Sequence, residues 1–259
     1  MKRHYILPFL FIALLAMSQE RAGTRTLTVM TFNIHAGHDA SLQQIALLIG
    51  AYHPDFVALQ EVDCHTHRAN SRHQNGRDFI TELAYHSGMM GLYAPTIRYS
   101  GGLYGIGLLT RHPYTSSQRW LLPNPNPAME QRALLEANCI LPEGDTVTVA
   151  CTHLEAFDQK CRDAQGEFLR EHYAHVATPT IIAGDFNAQP TDAVITNIML
   201  PEWIDCTEHH PTFSTINPEE KIDYIFARPR QQWQVVDSKV IDCKLSDHYP
   251  VVTTLRLMP

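Results

Sequence analysis

Thr180-Ile181-Ile182-Ala183-Gly184 is a short β-branched and apolar run that stops at a glycine. An acid and an amide, Asp185 and Asn187, follow two residues apart. Such a run reads as a buried strand that carries polar side chains to its carboxyl end, where the backbone turns into a loop. In layered α/β proteins ligands sit at that end. An acid there can orient or deprotonate a water, and a nearby amide can donate to a developing oxyanion. The same two residues also suit an Asx-type turn that merely bonds its own backbone. The remainder of the chain has to separate these readings.

The pattern recurs. Leu27 to Asn33 reads as a strand ending in an amide, and Asp55 to Gln60 as a buried strand followed by Glu61. Between them a helix is expected from a cap at Asp39 or Ser41 to about Ala51, with Leu42, Ile45, Ala46 and Ile49 on one face. Cys64 to Arg77 is polar and reads as a loop, and Phe79 to His86 as a helix closed by Gly88. Gly101-Gly102 marks a turn before a strand at Ile106 to Thr110. Three prolines exclude regular structure from Pro123 to Pro127. Ala133 to Leu141 and Thr146 to Thr152 form an expected hairpin ending at His153, followed by a long helix from Asp158 to Ala177. After the central strand come a short helix near Asp192 to Met199 and strands at Lys221 to Ala227, Gln232 to Val240 and Val251 to Leu257. Strand-helix-strand units and hairpins occur together, which points to two packed sheets with helices outside. One doubly wound sheet fits less well, because the hairpins have no crossover helix.

Length and charge limit the function. Lys2 and Arg3, the apolar run from Ile6 to Ala16, and Ala16-Met17-Ser18 have the order of a secretory leader, with residues 1–18 removed. The run is too short for a comfortable membrane span, and no cysteine stands just after it for lipidation. A periplasmic or secreted protein without a stable membrane anchor is therefore expected. No linker or repeat divides residues 19–259, which read as one domain and as a monomer. Loss of Lys2 and Arg3 takes the formal charge from −7 to −9. Such an acidic domain is not built to track long nucleic acid, although a bound cation can still supply positive charge locally. Cys64, Cys139, Cys151, Cys161, Cys206 and Cys243 contain no CxxC pair, so neither a zinc ribbon nor a thioredoxin-type site is indicated. Disulfides and buried free thiols are both open.

Glu61 alone suits a solvated loop acid, and His153 alone a structural histidine. Asp223, inside Ile222-Asp223-Tyr224-Ile225, is odder, because a buried carboxylate needs a partner. Histidine is the natural one, since the pair fixes the tautomer and stabilises the imidazolium.

TFNIHAG, LQEVD, YGIGLLTRHPY, THLEA, GDFNAQP, KIDYIFA and LSDHYPV occur in this order between about Leu27 and Leu257. In order and form they resemble the endonuclease/exonuclease/phosphatase superfamily of DNase I-like proteins. The resemblance implies an α/β fold, a four-layer α/β/β/α sandwich of two packed mixed sheets flanked by helices, with the site at one edge of the sheets. It implies that Asn33, Glu61 and Asp247 lie at or near a divalent metal, and their hard oxygen ligands suit Mg²⁺ or Mn²⁺. It implies that Asp185 orients or deprotonates the attacking water and that Asn187 contacts a phosphate oxygen. His248 would stand beside the scissile phosphate with Asp223 as its carboxylate partner, and His153 would be a further phosphate contact. Arg68 is a candidate substrate contact or a solvated loop residue. Arg132 would brace the site or pair with Glu130. Tyr104 would touch substrate or simply pack. The role of His35 is open.

The implied reaction is metal-assisted attack of water on a phosphate ester. The expected substrate is a small phosphorylated compound or a lipid headgroup, and the His- and Arg-rich segment from Cys64 to Arg77 could wall an anion site for it. A secreted Mg²⁺-dependent nuclease is the alternative. A catalytically inactive binding protein on the same fold is less favoured, since no motif position holds an inert residue.

Overall fold

The computed structural model describes residues 25–258. The leader expected at residues 1–18 lies outside them. Among the described residues no helix is long and apolar enough to cross a membrane.

The elements in chain order are β1 (Arg25–Asn33), α1 (Leu42–Tyr52), β2 (Phe56–Cys64), α2 (Phe79–Ser87), β3 (Met90–Tyr99), β4 (Gly102–Thr110), β5 (Tyr114–Leu121), β6 (Ala133–Ile140), β7 (Thr146–His153), α3 (Gln159–Tyr173), β8 (Thr180–Asp185), β9 (Ile204–Asp205), β10 (Asp223–Arg228), β11 (Trp233–Val240) and β12 (Val251–Leu257). They form two six-stranded sheets. One runs β11-β12-β1-β2-β4-β3 and the other β5-β6-β7-β8-β10-β9. Each has a single parallel pair at its centre, β1/β2 and β7/β8, joined by a crossover helix. Antiparallel neighbours extend each sheet on both sides.

Three apolar layers hold this together. Between the sheets pack Val29, Ala58, Leu108, Leu135, Val149, Ile181, Ile225 and Leu255. On the far side of the first sheet Phe32, Leu59 and Leu109 meet Ile45 and Ile49 of α1 and Leu83 of α2. On the far side of the second, Ile182, Phe186 and Phe226 meet Leu169 and Tyr173 of α3. The result is the expected α/β/β/α stack.

Local chemistry sets the ends of the elements. Ser41 caps α1 through a reciprocal box, its hydroxyl accepting from Gln44 N while the Gln44 side chain accepts from Ser41 N. Asp78 caps α2, which closes on Gly88 at φ +64°. Asp158 caps α3. α3 ends at Tyr173, four residues before the expected Ala177, because Ala174 and Val176 bond to carbonyls three residues back. The short helix after β8 is wound as a π-turn over Val194–Met199. All six cysteines are unpaired, and four of them are buried as small apolar side chains.

Three strands are not expected from the sequence: β3, β5 and the two-residue β9, which is too short to show a pattern. Every residue of β5 is exposed, so it shows no apolar alternation. β3 carries Gly91 and Pro95 and is mostly half-exposed. All three are edge strands, and edge-tolerant residues disguise β3 and β5.

Gly184 is required where β8 passes β7. A Cβ there would overlap the Thr152 carbonyl oxygen, a backbone atom that cannot swing aside. Gly184→Ala should therefore destabilise the protein by at least about 2 kcal/mol, as overpacking of a rigid site does. Thermal unfolding of the two proteins should show a clear drop in Tm; an unchanged Tm would mean that β7 and β8 are not this close.

Candidate active site

The register of the second sheet builds the centre of the site. His153 lies opposite Asp185 across the parallel β7/β8 pair, and Asp223 lies opposite Asp185 across the antiparallel β8/β10 pair. One row thus holds His153, Asp185 and Asp223. Paired residues of a sheet share a face. Phe186 leaves the row in the other direction. Its ring is fully buried, edge-on to Phe226 at 5.1 Å and to Tyr224 at 5.6 Å. That anchor sits between Asp185 and Asn187 and holds the turn. Asn187 adopts φ +47° there, and its N–H donates to Asp185 Oδ1 at 2.8 Å. The Asx turn and the polar site, alternatives in the sequence, are the same structure.

The first sheet supplies the facing residues. Asn33 ends β1, and Glu61 sits in β2 at a bulge between Leu59 and Val62 with φ +60°. The bulge turns the Glu61 carboxylate toward Asn33. Asn33 Nδ2 lies 3.2 Å from Glu61 Oε1, 3.1 Å from Asp185 Oδ2 and 3.4 Å from His248 Nε2. Its Oδ1 accepts from His35 N at 3.1 Å. Ser246 Oγ donates to the Asn33 carbonyl at 2.7 Å and so ties the loop before β12 to the end of β1.

His248 then reaches the row. Its Nδ1 is 2.9 Å from Asp223 Oδ2 and its Nε2 is 3.7 Å from Asp185 Oδ2. His153 Nε2 lies 3.5 Å from the same Asp185 oxygen. Burial and then Asp223 push the Asp185 carboxyl up to about 7. Burial opposes the charge on His248, but Asp223 and Asp185 outweigh it and raise the imidazole to about 10. The imidazolium is the form that geometry favours, because two carboxylates face one ring.

These groups open on a cleft of about 440 Å³. Glu61, Tyr104, Arg132, His153, Asp185, Asn187, Asp247 and His248 all line it. Asn33 stands behind Glu61, and Asp223 stands behind His248. Arg68 does not line the cleft but stands behind one wall of it, Tyr104. It makes a two-bond fork to buried Asp63 at 2.6 and 2.9 Å and lies over the Tyr99 and Tyr104 rings. No residue from 64 to 77 lines the cleft, so the anion wall expected there does not form along it. His35 pairs with Asp39 at 2.7 Å and approaches Asp247 at 3.7 Å. Glu130, Phe157, Phe213 and Glu220 also line the cleft. They belong to irregular segments, and no periodicity marks them. Glu155 lay in the quoted THLEA motif without a role; buried, it now braces Arg132 at 3.5 Å.

The donor set fits a hard divalent cation. Glu61 and Asp247 both face the cleft, and among the described residues neither has a lysine or arginine within ion-pair distance. Such unbalanced carboxylate oxygens suit Mg²⁺ or Mn²⁺ better than zinc. Asn33 presents nitrogen toward Glu61 here, and a half-turn of its amide would present oxygen instead.

The endonuclease/exonuclease/phosphatase family model matches residues 30–248, which spans Asn33 to His248. The chain belongs to that family. No curated protein matches it significantly. Among solved structures, an endonuclease/exonuclease/phosphatase from Beutenbergia cavernae is 27% identical with a TM-score of 0.75, over 90% of this chain and 72% of that one. The mannosyl-6-phosphatase of Bacteroides thetaiotaomicron is 17% identical with a TM-score of 0.70, over 88% of this chain and 99% of that one. The human Nocturnin catalytic domain with bound sulfate is 20% identical with a TM-score of 0.68, over 91% and 98%. Membership of the endonuclease/exonuclease/phosphatase family makes the chain a hydrolase of the phosphoesterase type, and the two packed six-stranded sheets are that family's DNase I-like fold.

The His248–Asp223 pair gives this family member a pH signature. His248 gains a proton partner on folding and its value rises above 6.5, so the pair's contribution to stability is full below 6.5 and is lost as pH rises through about 10. Asp223→Asn removes the nearer negative charge. NMR titration of His248 in the metal-free protein should then show its midpoint fall by roughly one to three pH units. An unmoved midpoint would mean that Asp223 does not hold the imidazolium.

Proposed function

We propose that this chain is an exported, metal-dependent phosphoesterase that cleaves a small phosphorylated compound or a lipid headgroup, using water activated at Asp185. The observation that carries the reading is the position of Asp185. It is buried and raised toward neutrality, it has a histidine on each side, and it is tied through Asn33 to Glu61. A carboxylate near neutrality is matched to accepting a proton from water at working pH.

Glu61 and Asp247, with Asn33, would hold Mg²⁺ or Mn²⁺. The ion supplies positive charge to the phosphoryl oxygens and makes water a better nucleophile. The protein's own groups do the rest. Asp185 orients the water and takes its proton. His248 as imidazolium offers an Nε2–H to phosphate oxygen, and Asp223 keeps it charged. Asn187 Nδ2 gives one hydrogen to Leu154 O at 3.0 Å and has a second for substrate. Phosphoryl cleavage depends on such positioning and charge neutralisation.

A cleft of about 440 Å³ suits a small ligand. Its lining has one arginine, Arg132, already paired with Glu130 at 2.9 Å, against several acids. That balance favours a singly phosphorylated substrate over a long polyanion. The leader-like order of residues 1–18 is what supports export.

The test is turnover by the mature protein with Mg²⁺, Mn²⁺ or EDTA. Substrates would be p-nitrophenyl phosphate, bis-p-nitrophenyl phosphate, hexose phosphates, sphingomyelin and plasmid DNA. Cleavage of a small ester or a headgroup that EDTA abolishes is expected. Asp185→Asn should lower kcat by roughly 10²-fold or more with the fold intact. Preference for plasmid would establish the nuclease instead. Metal-independent turnover, or a fully active Asp185→Asn protein, would overturn the reading.

A further inference from the structure

Two imidazoles approach one carboxylate oxygen in this site, and their other nitrogens face partners of opposite character. His248 Nδ1 faces a carboxylate, Asp223, which can only accept. His153 Nδ1 faces Nη1 of Arg132 at 3.2 Å, and a guanidinium can only donate. The ring nitrogen beside a donor must present its lone pair, so the proton of His153 belongs on Nε2.

We infer that Arg132 is a positioning residue whose guanidinium holds His153 in the Nε2–H tautomer, so that His153 offers a fixed neutral donor on the substrate side of Asp185. The catalytic consequence rests on the proposed function; the tautomer itself rests on geometry alone.

Arg132 is built to do this. It is 7% exposed and His153 is 5% exposed, so neither is free to turn toward water. Arg132 immediately precedes β6, and Leu134 pairs with Thr152, which brings the arginine beside the end of β7. Glu130 holds Nη1 at 2.9 Å, and Glu155 holds Nε at 3.5 Å. Glu155 is itself fixed, since its Oε1 accepts from Phe157 N at 3.0 Å. Two carboxylates thus balance the arginine's charge, and Nη1, the nitrogen beside Glu130, also faces the imidazole. Lysine has no planar fork with which to meet all three partners.

The groups that face His153 agree with a neutral ring. Burial, Arg132 and then His248 hold its value well below the usual 6.5, and Asp185 is the acid at its other nitrogen. The reversed tautomer would aim a lone pair from Nε2 at the Asp185 carboxylate and at any phosphate oxygen above it. Both are electron-rich, so the wrong tautomer would repel what the site has to hold. His153 and His248 therefore divide the work: one ring is an uncharged donor and the other a charged one.

The test is ¹⁵N NMR of imidazole nitrogens in the whole folded protein at neutral pH, in EDTA and with Mg²⁺. The His153 signal is assigned by its disappearance in His153→Gln. A protonated Nε2 and an unprotonated Nδ1 are expected in the wild type. Arg132→Met should shift both signals toward the average of two exchanging tautomers. It should lower kcat about ten-fold or more while KM changes less, and Arg132→Lys should recover part of the loss. A protonated Nδ1 in the wild type, or an unchanged His153 spectrum in Arg132→Met, would overturn the inference. The wild-type spectrum decides even if Arg132→Met fails to fold. A protein with the expected tautomer and no activity on any phosphate ester would count against the proposed function and leave Arg132's role standing.

Discussion

The hydrogen bond from Asn33 Nδ2 to Asp185 Oδ2 spans 152 residues of sequence and joins the two sheets at the end where both parallel pairs stop. The rest of the site hangs on it. Glu61 reaches the same amide because a bulge turns it inward. His248 reaches the same carboxylate because Ser246 ties its loop to the Asn33 carbonyl. A charged cluster this dense would be costly to bury without such partners. Every acid that approaches Asp185 is accompanied by an amide or an imidazole, and the excess carboxylate charge is left facing the cleft.

Why this site sits at a sheet edge follows from topology. A parallel pair sends both of its carboxyl ends the same way, and each sheet has one such pair with a crossover helix. Stacking the two sheets puts three strand ends, carrying Asn33, His153 and Asp185, beside the bulge of β2 that carries Glu61. β10 runs the other way and contributes its first residue, Asp223, to the row. The β-branched interiors of these strands make the core, and their polar last residues make the chemistry.

Much of this could be read in advance. The buried strands and capped helices declare themselves through apolar runs, Ser41, Asp78 and Asp158. Asn33, Glu61, His153, Asp185, Asn187, Asp247 and His248 converge because each follows or ends such a run. What stayed hidden has physical reasons. Every residue of β5 is exposed, so no buried face marks it as a strand. Glu130, Phe213 and Glu220 come from loops, whose path tertiary contacts decide. Arg68 shows the converse. In the sequence it reads either as a substrate contact or as a solvated loop residue; no pattern there reveals that buried Asp63, five residues earlier, holds its guanidinium.

The C-terminal strand has a consequence for how the molecule comes into being. β12 lies between β11 and β1, so among the described strands the one nearest the carboxyl end pairs with the one nearest the amino end. Until residues 251–257 have left the ribosome, the edge of β1 has no partner, and His248 is missing from the site. Contacts of such long range form slowly and leave a sticky edge exposed meanwhile. A nascent chain of this design carries no working centre at any intermediate length. Its hydrolytic power appears in one step, once the segment from His248 through β12 has joined the fold.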